Sequence, residues 1–239
     1  MLVTRSSKLR NAVSHQAIIS KRNMNEQIED HFSCADWIVI PASVREYVAG
    51  ILGLTFISQD EKWENNPILC TTYGTTDNYL DNLLQRIEKV LISSSINGYY
   101  IIEGKCLRYI YKTLCERLST DCGIYYFSID LWEYRSNYAY YINRKEMRFY
   151  CAELDATGIL HEEDRGNILT CEKDAELKIP TIEIDGEQSP NYWFLPLGVM
   201  FNLGITDSGV WQALNEPCSV YALDNNDSKM VKDILLERK

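Results

Sequence analysis

Apolar and polar positions are patterned most clearly in the middle of the chain. Residues 122–155 carry aromatic and β-branched runs broken by short polar clusters, as consecutive strands of an antiparallel sheet do. The pattern predicts strands at 124–134, 138–142 and 147–155, turning at 135–137 and at 143–146. Upstream the period becomes helical. Residues 25–34 form a weak helical pattern, followed by a short apolar run at 37–40. Ser43-Val44-Arg45-Glu46 reads as a capping box, with Tyr47, Val48, Ile51 and Leu52 at helical spacing and Gly53 as a left-handed stop. Residues 61–73 read as loop. A helix is predicted over 77–92 from the stripe Tyr79, Leu80, Leu83, Leu84, Ile87, Val90 and Leu91. Asn97-Gly98 breaks the chain before a strand at 99–102, and a helix over 105–119 leads into the meander.

Downstream, 158–167 reads as a charged loop, and 168–171 with 177–185 as a hairpin whose Pro180 belongs at an edge or bulge. Residues 193–203 are apolar but interrupted by Pro196 and Gly198, which suggests irregular chain or a short strand. A helical turn at 209–214, a strand at 220–223 and a closing helix through Leu236, capped by Asp227 or Ser228, complete the pattern. These elements define an α+β fold: a central, mostly antiparallel sheet with N-terminal helices packed against it. No repeat or low-complexity linker divides residues 25–239, so they are expected to form a single domain.

Charge sharpens this picture. The net charge is −10, yet residues 1–24 hold Arg5, Lys8, Arg10, Lys21 and Arg22 and no acid. That segment reads as a basic flexible tail, an organellar presequence or an upstream start with Met24 as the first residue. The remainder is strongly acidic, which disfavours nucleic acid and favours basic partners. No CxxC occurs among the eight cysteines, and no secretory pattern opens the sequence. Reduced core thiols in a cytoplasmic protein are the expectation. No apolar run approaches the roughly 18 residues of a membrane span.

Candidate chemistry is sparse. Glu153-Leu154-Asp155 and Glu183-Ile184-Asp185 each place two carboxylates on one face of a strand. Were the two strands neighbours, four oxygen ligands could meet around a divalent metal. The plainer alternative makes them solvent faces of half-buried strands. Glu103-Gly104-Lys105 ends an apolar strand, and this E-x-K resembles half of the PD-(D/E)xK nuclease pattern. That resemblance implies a metal-holding carboxylate and a lysine that orients water. The family's other carboxylate lies on the preceding strand, whereas here the preceding segment reads as helix, with Asp77 and Asp81 on it. His161-Glu162-Glu163-Asp164 lacks the second histidine of a zinc-protease helix, and no glycine-rich phosphate loop or G-x-S-x-G elbow is present.

The leading expectation is a non-enzymatic acidic protein-binding module, of the inhibitor or toxin-neutralising (immunity-type) kind, acting on a basic partner protein. Its binding residues would be Trp132, Tyr134, Tyr138, Glu153, Asp155, Glu183 and Asp185, with no cofactor. The rival is a metal-dependent hydrolase or nuclease with Glu103 and Lys105 in catalysis and Glu153, Asp155, Glu183 and Asp185 around a divalent metal.

Overall fold

The computed structural model describes residues 34–60, 87–130, 133–155, 160–176, 179, 181–184 and 187–237. In chain order the first elements are β1 (Cys34–Pro41), the short helix α1 (Val48–Leu52), β2 (Thr55–Asp60), β3 (Lys89–Ile92) and β4 (Tyr99–Glu103). Next come α2 (Leu107–Leu118), β5 (Ile124–Asp130), β6 (Arg135–Ile142), β7 (Lys145–Leu154) and β8 (Leu160–Gly166). The C-terminal part adds α3 (Thr170–Glu176), β9 (Thr181–Ile184), β10 (Glu187–Pro190), α4 (Leu195–Asn202), α5 (Asp207–Leu214), β11 (Cys218–Ala222) and α6 (Asn225–Glu237). Nine strands form one sheet in the order β2-β11-β3-β4-β1-β5-β6-β7-β8, and β9 pairs with β10 apart from it. Every neighbouring pair is antiparallel.

β1 lies at the centre, and Trp37, Ile38, Val39 and Ile40 have no exposed surface. Their side chains alternate between two cores. On the first face, Trp37, Val39, Phe127, Tyr138 and Tyr150 pack under residues of α3, α4 and α5, including Ala175, Leu197, Val199 and Val210. On the second, Ile38, Ile40, Tyr126, Tyr141 and Phe149 pack under α1, α2 and α6 through Val48, Leu52, Leu107, Ile110, Leu114 and Val231. A strand covered on both sides has no reason to alternate apolar with polar, which is why 37–40 and 99–102 are continuous apolar runs.

The α+β class and the antiparallel sheet are as expected. The meander is β5–β7, although β6 starts earlier than predicted: its turn is Glu133-Tyr134, and Tyr134 has φ +48°. Asn143 and Arg144, at φ +51° and +60°, close the β6–β7 hairpin in the left-handed pair that matches strand twist. Among the described residues helices flank both faces of the sheet, α1 and α2 preceding the meander and α3–α6 following it. Predictions for residues 1–33, 61–86, 131–132, 158–159, 177–178, 180 and 185 lie outside the described residues.

Several local expectations are corrected. Residues 89–92 are strand, because Val90 and Ile92 enter the second core while Leu91 enters the first, between β11 and β4. Ser43 caps no helix. It sits in a 3-10 turn (Ala42–Val44) pinned by the Ala42 N–H to the Gly98 carbonyl at 2.8 Å, and α1 begins after Tyr47 without a side-chain cap. Residues 160–166 are the edge strand β8 rather than loop, and 170–176 are helix rather than the end of one hairpin strand and the turn after it. Residues 195–202 are helical despite Pro196 and Gly198. Pro196 occupies the first turn, where no N–H is needed. Gly198 lets α3 approach, since a Cβ there would lie 2.7 Å from Ile179 and 3.1 Å from Ala175.

One buried ion pair fastens α3 to the sheet. Arg148 on β7 and Glu172 on α3 both have side chains without exposed surface. Arg148 Nε donates to Glu172 Oε2 at 2.8 Å and to the Tyr138 hydroxyl at 3.3 Å, and Nη1 donates to Asp164 on β8. Burial alone would lower the Arg148 pKa, but its hydrogen bonds to Glu172 and Asp164 outweigh that and raise it. Removing one partner strands a buried charge. Glu172→Ala is therefore expected to cost about 3–5 kcal/mol in urea denaturation. Arg165→Ala, at an exposed pair, should cost under about 1 kcal/mol. Equal losses would show that Arg148 is solvated.

Candidate functional site at the charged end of the sheet

The register of β1, β5, β6, β7 and β8 brings polar residues into two rows on the second face. One row runs Asp36, Ser128, Asn137, Cys151, Glu163; the next, toward the end of the sheet, runs Asp130, Arg135, Glu153, His161. Directly opposed residues of antiparallel strands share a face and lie close together, so in this tract a mostly buried inner row, reached by α2, adjoins a more polar outer row.

Arg108, in the first turn of α2, organises its inner part. Its Nε donates to Asp36 Oδ2 at 3.2 Å and its Nη1 to Asp130 Oδ2 at 2.7 Å, with Glu133 Oε2 at 3.8 Å. Asp36, only 2% exposed, also accepts the Tyr126 hydroxyl at 2.8 Å. Asp130 Oδ1 accepts the Glu133 N–H at 3.0 Å, which ties down the β5–β6 turn. Tyr111 of α2 stacks on Tyr126 at 3.8 Å between ring centroids. Burial, then the charge of Asp36, pushes the Tyr126 phenol well above its usual range. Burial and Glu146 push Tyr111 up to about 12. These tyrosines stay protonated, so Tyr126 donates to Asp36 at any physiological pH. Asn137 Oδ1 is buried without a hydrogen-bond partner.

The outer part is exposed and acidic. Glu153 projects beside Arg135, His161 Nε2 lies 2.8 Å from Asp155 Oδ2, and Glu133 and Glu163 carry side chains 65% and 59% exposed. Arg165 Nε meets Glu163 at 3.2 Å while its guanidinium lies over Phe149 at 4.3 Å. On the other side of β8, Glu162 accepts the Tyr150 hydroxyl at 2.6 Å.

Of the residues singled out from sequence, Glu153 and Asp155 belong to this tract. Tyr134 lies at its rim, in the β5–β6 turn, half-buried against the first core. Tyr138 is fully buried on the opposite face under Arg148, so it presents no contact surface. Trp132 and Asp185 lie outside the described residues. Glu183 sits on β9, opposite Gln188 of β10 and apart from the large sheet. Glu103 is 4% exposed and points to the first face beside Trp37, away from Glu153, with β1, β5 and β6 between their strands. Lys105 is half-exposed in the turn before α2. Glu153 and Glu183 are thus on different sheets, and among the described residues no three His, Cys, Asp or Glu side chains converge as metal ligands would. Asp36, Arg108 and Asp130 carried no sequence motif. The one available signal was an acid directly before the apolar run at 37–40, which calls for a buried cationic partner.

No family model, no curated protein and no solved structure matches this chain.

Arg108 bridges two carboxylates through different nitrogens, a geometry an ammonium group does not reproduce. Arg108→Ala should cost about 3 kcal/mol in chemical denaturation, because it leaves Asp36 buried and uncompensated. Arg108→Lys should recover only part of that loss. Full recovery by lysine would mean that charge alone, not the fork, holds α2 to the sheet.

Proposed function

We propose that the protein is a non-enzymatic binding module that takes a basic partner protein on the acidic end of its sheet, as an inhibitor or toxin-neutralising protein would. The observation that carries this reading is the composition of the β8 edge. Its outer backbone is unpaired among the described strands, and His161, Glu162, Glu163 and Asp164 follow one another along it, flanked by Glu153, Asp155 and Glu133. An acidic rim of this kind steers a basic partner during diffusional approach and sets its orientation. Tyr134, half-exposed at the same rim, has the apolar body and polar tip common among interface anchors.

The inner residues support recognition rather than turnover. Asp36, Asp130 and Arg108 are tied to one another and to Tyr126, so they hold the rim in place instead of presenting a free acid, base or nucleophile. The described thiols fit a reducing, cytoplasmic setting: Cys106 and Cys115 are buried in the second core, and burial raises both pKa values. Among the described residues no helix is long and apolar enough to cross a membrane.

The test is affinity capture at low salt with the wild type and with a Glu153→Lys/Glu163→Lys variant, followed by reconstitution of whatever only the wild type retains. The purified partner should be basic, its association rate should fall roughly tenfold between low and high salt, and charge reversal should weaken binding by about tenfold or more. A complex indifferent to salt and to both substitutions would remove the acidic rim from the mechanism.

A further inference from the structure

The other edge of the sheet has the opposite chemistry. Among the described strands β2 ends the sheet at the far side, and no charged residue lies between Glu46 and Asp60 in the sequence. Within this stretch Tyr47 is 64% exposed, Phe56 57%, Ile57 46% and Ile51 39%, the main concentration of exposed large apolar side chains among the described residues. Phe56 stands edge-on to Tyr221 at 5.6 Å, and the Arg45 guanidinium lies over the rings of Tyr221 and Tyr100 at 6.0 and 5.5 Å. The apolar surface therefore continues from the strand edge onto the second face of the sheet. Single exposed apolar residues are ordinary, but a grouped set on an edge strand marks an interaction surface.

We propose that β2 and the outer side of α1 form a self-association surface that receives a second copy of this chain about a twofold axis. Charge selects this occupant. The chain is acidic overall, so two copies repel wherever their charged surfaces face each other. The 47–59 stretch brings no carboxylate of its own to such a contact, and the nearby Asp224 is already paired with Arg117, whereas a basic partner gains little from so apolar a surface. The sequence is also self-complementary. An antiparallel β2–β2 pair centred on Ile57 and Ser58 sets Thr55 against Asp60, Phe56 against Gln59 and Ile57 against Ser58, so no like charges oppose. The β2–β11 register shifts at Ile57, which has no partner on β11. That bulge shortens any new hydrogen-bond ladder, so burial of Phe56, Ile57, Tyr47 and Ile51 supplies most of the association energy. This surface is independent of the acidic rim.

The experiment is sedimentation velocity on the full chain across a roughly hundredfold range of concentration, together with hydrogen exchange of the wild type over the same range. The expected result is a monomer–dimer equilibrium whose dissociation constant rises at least about tenfold in Ile57→Lys and, separately, in Phe56→Lys. Met147→Lys, at an exposed position on β7, should leave it unchanged. Amides of residues 55–60 should exchange more slowly as concentration rises. Should a variant fail to fold by circular dichroism, the wild-type exchange still decides. A monomer at every concentration, a dimer indifferent to both substitutions, or β2 exchange independent of concentration would overturn the proposal.

Discussion

Residues 37–40 occupy the middle strand of nine with no surface left to solvent. Burying side chains of this size contributes about 1.5–3 kcal/mol each, provided that both faces of the strand are covered. That double burial constrains everything around it. An antiparallel sheet can leave one face to water; this one does not at its centre, so helices must be delivered to both sides. α1, α2 and α6 supply one layer, and α3, α4 and α5 the other. The chain meets the requirement by returning β11 between β2 and β3, which places the start of α6 over the second face after α3–α5 have closed the first.

Each helix layer is then fixed to the sheet by an arginine that joins two carboxylates. On the second face Arg108 reaches from α2 to Asp36 of β1 and Asp130 of β5; on the first, Arg148 reaches from β7 to Glu172 of α3 and Asp164 of β8. Apolar packing is non-directional and tolerates sliding, whereas a forked guanidinium between two fixed carboxylates does not. Such pairs add little net stability compared with well-packed apolar residues, so their contribution here is positional. Arg108 sets where the first turn of α2 lies relative to the β5–β6 turn. That in turn sets how Glu133, Tyr134 and Glu153 are presented.

The meander was legible from sequence because its signals are local. Aromatic and β-branched runs specify strands, and Asn143-Arg144 and Asn97-Gly98 adopt the left-handed turn geometry their composition suggests. α2 was legible because Leu107, Ile110, Leu114, Cys115 and Leu118 form one buried stripe. The misread elements share a physical cause: what defines them is another part of the chain. Lys89–Ile92 continues an apolar pattern that suits a helix equally well, and only its place between β11 and β4 makes it strand. β8 shows no alternation because its carboxylates are matched by Tyr150, Arg148 and Arg165 rather than by a core. α4 is apolar on all sides, with a glycine that only close contact with α3 explains. The site was partly legible for the same reason. Glu153 and Asp155 announce themselves by spacing, while Asp36, Arg108 and Asp130 become a cluster only when α2 folds across β1 and β5.

The two sheet edges show how the charge distribution limits assembly. An open sheet with two receptive edges invites head-to-tail addition of copies, which propagates into filaments. Here β8 opposes its own kind: antiparallel approach of a second β8 would bring His161-Glu162-Glu163-Asp164 against the same run of acids. In the proposed dimer self-addition is confined to the β2 side, and an association confined to one edge closes as a twofold pair instead of continuing. In such a pair β8 stays at the outer end of each copy, where the exposed side chain of Glu163 and the neighbouring Glu153 face solvent. On the proposed reading, the charge that keeps this edge from pairing with itself is the same charge that would select a partner of opposite sign, so protection of the edge and recognition at it would follow from one set of residues.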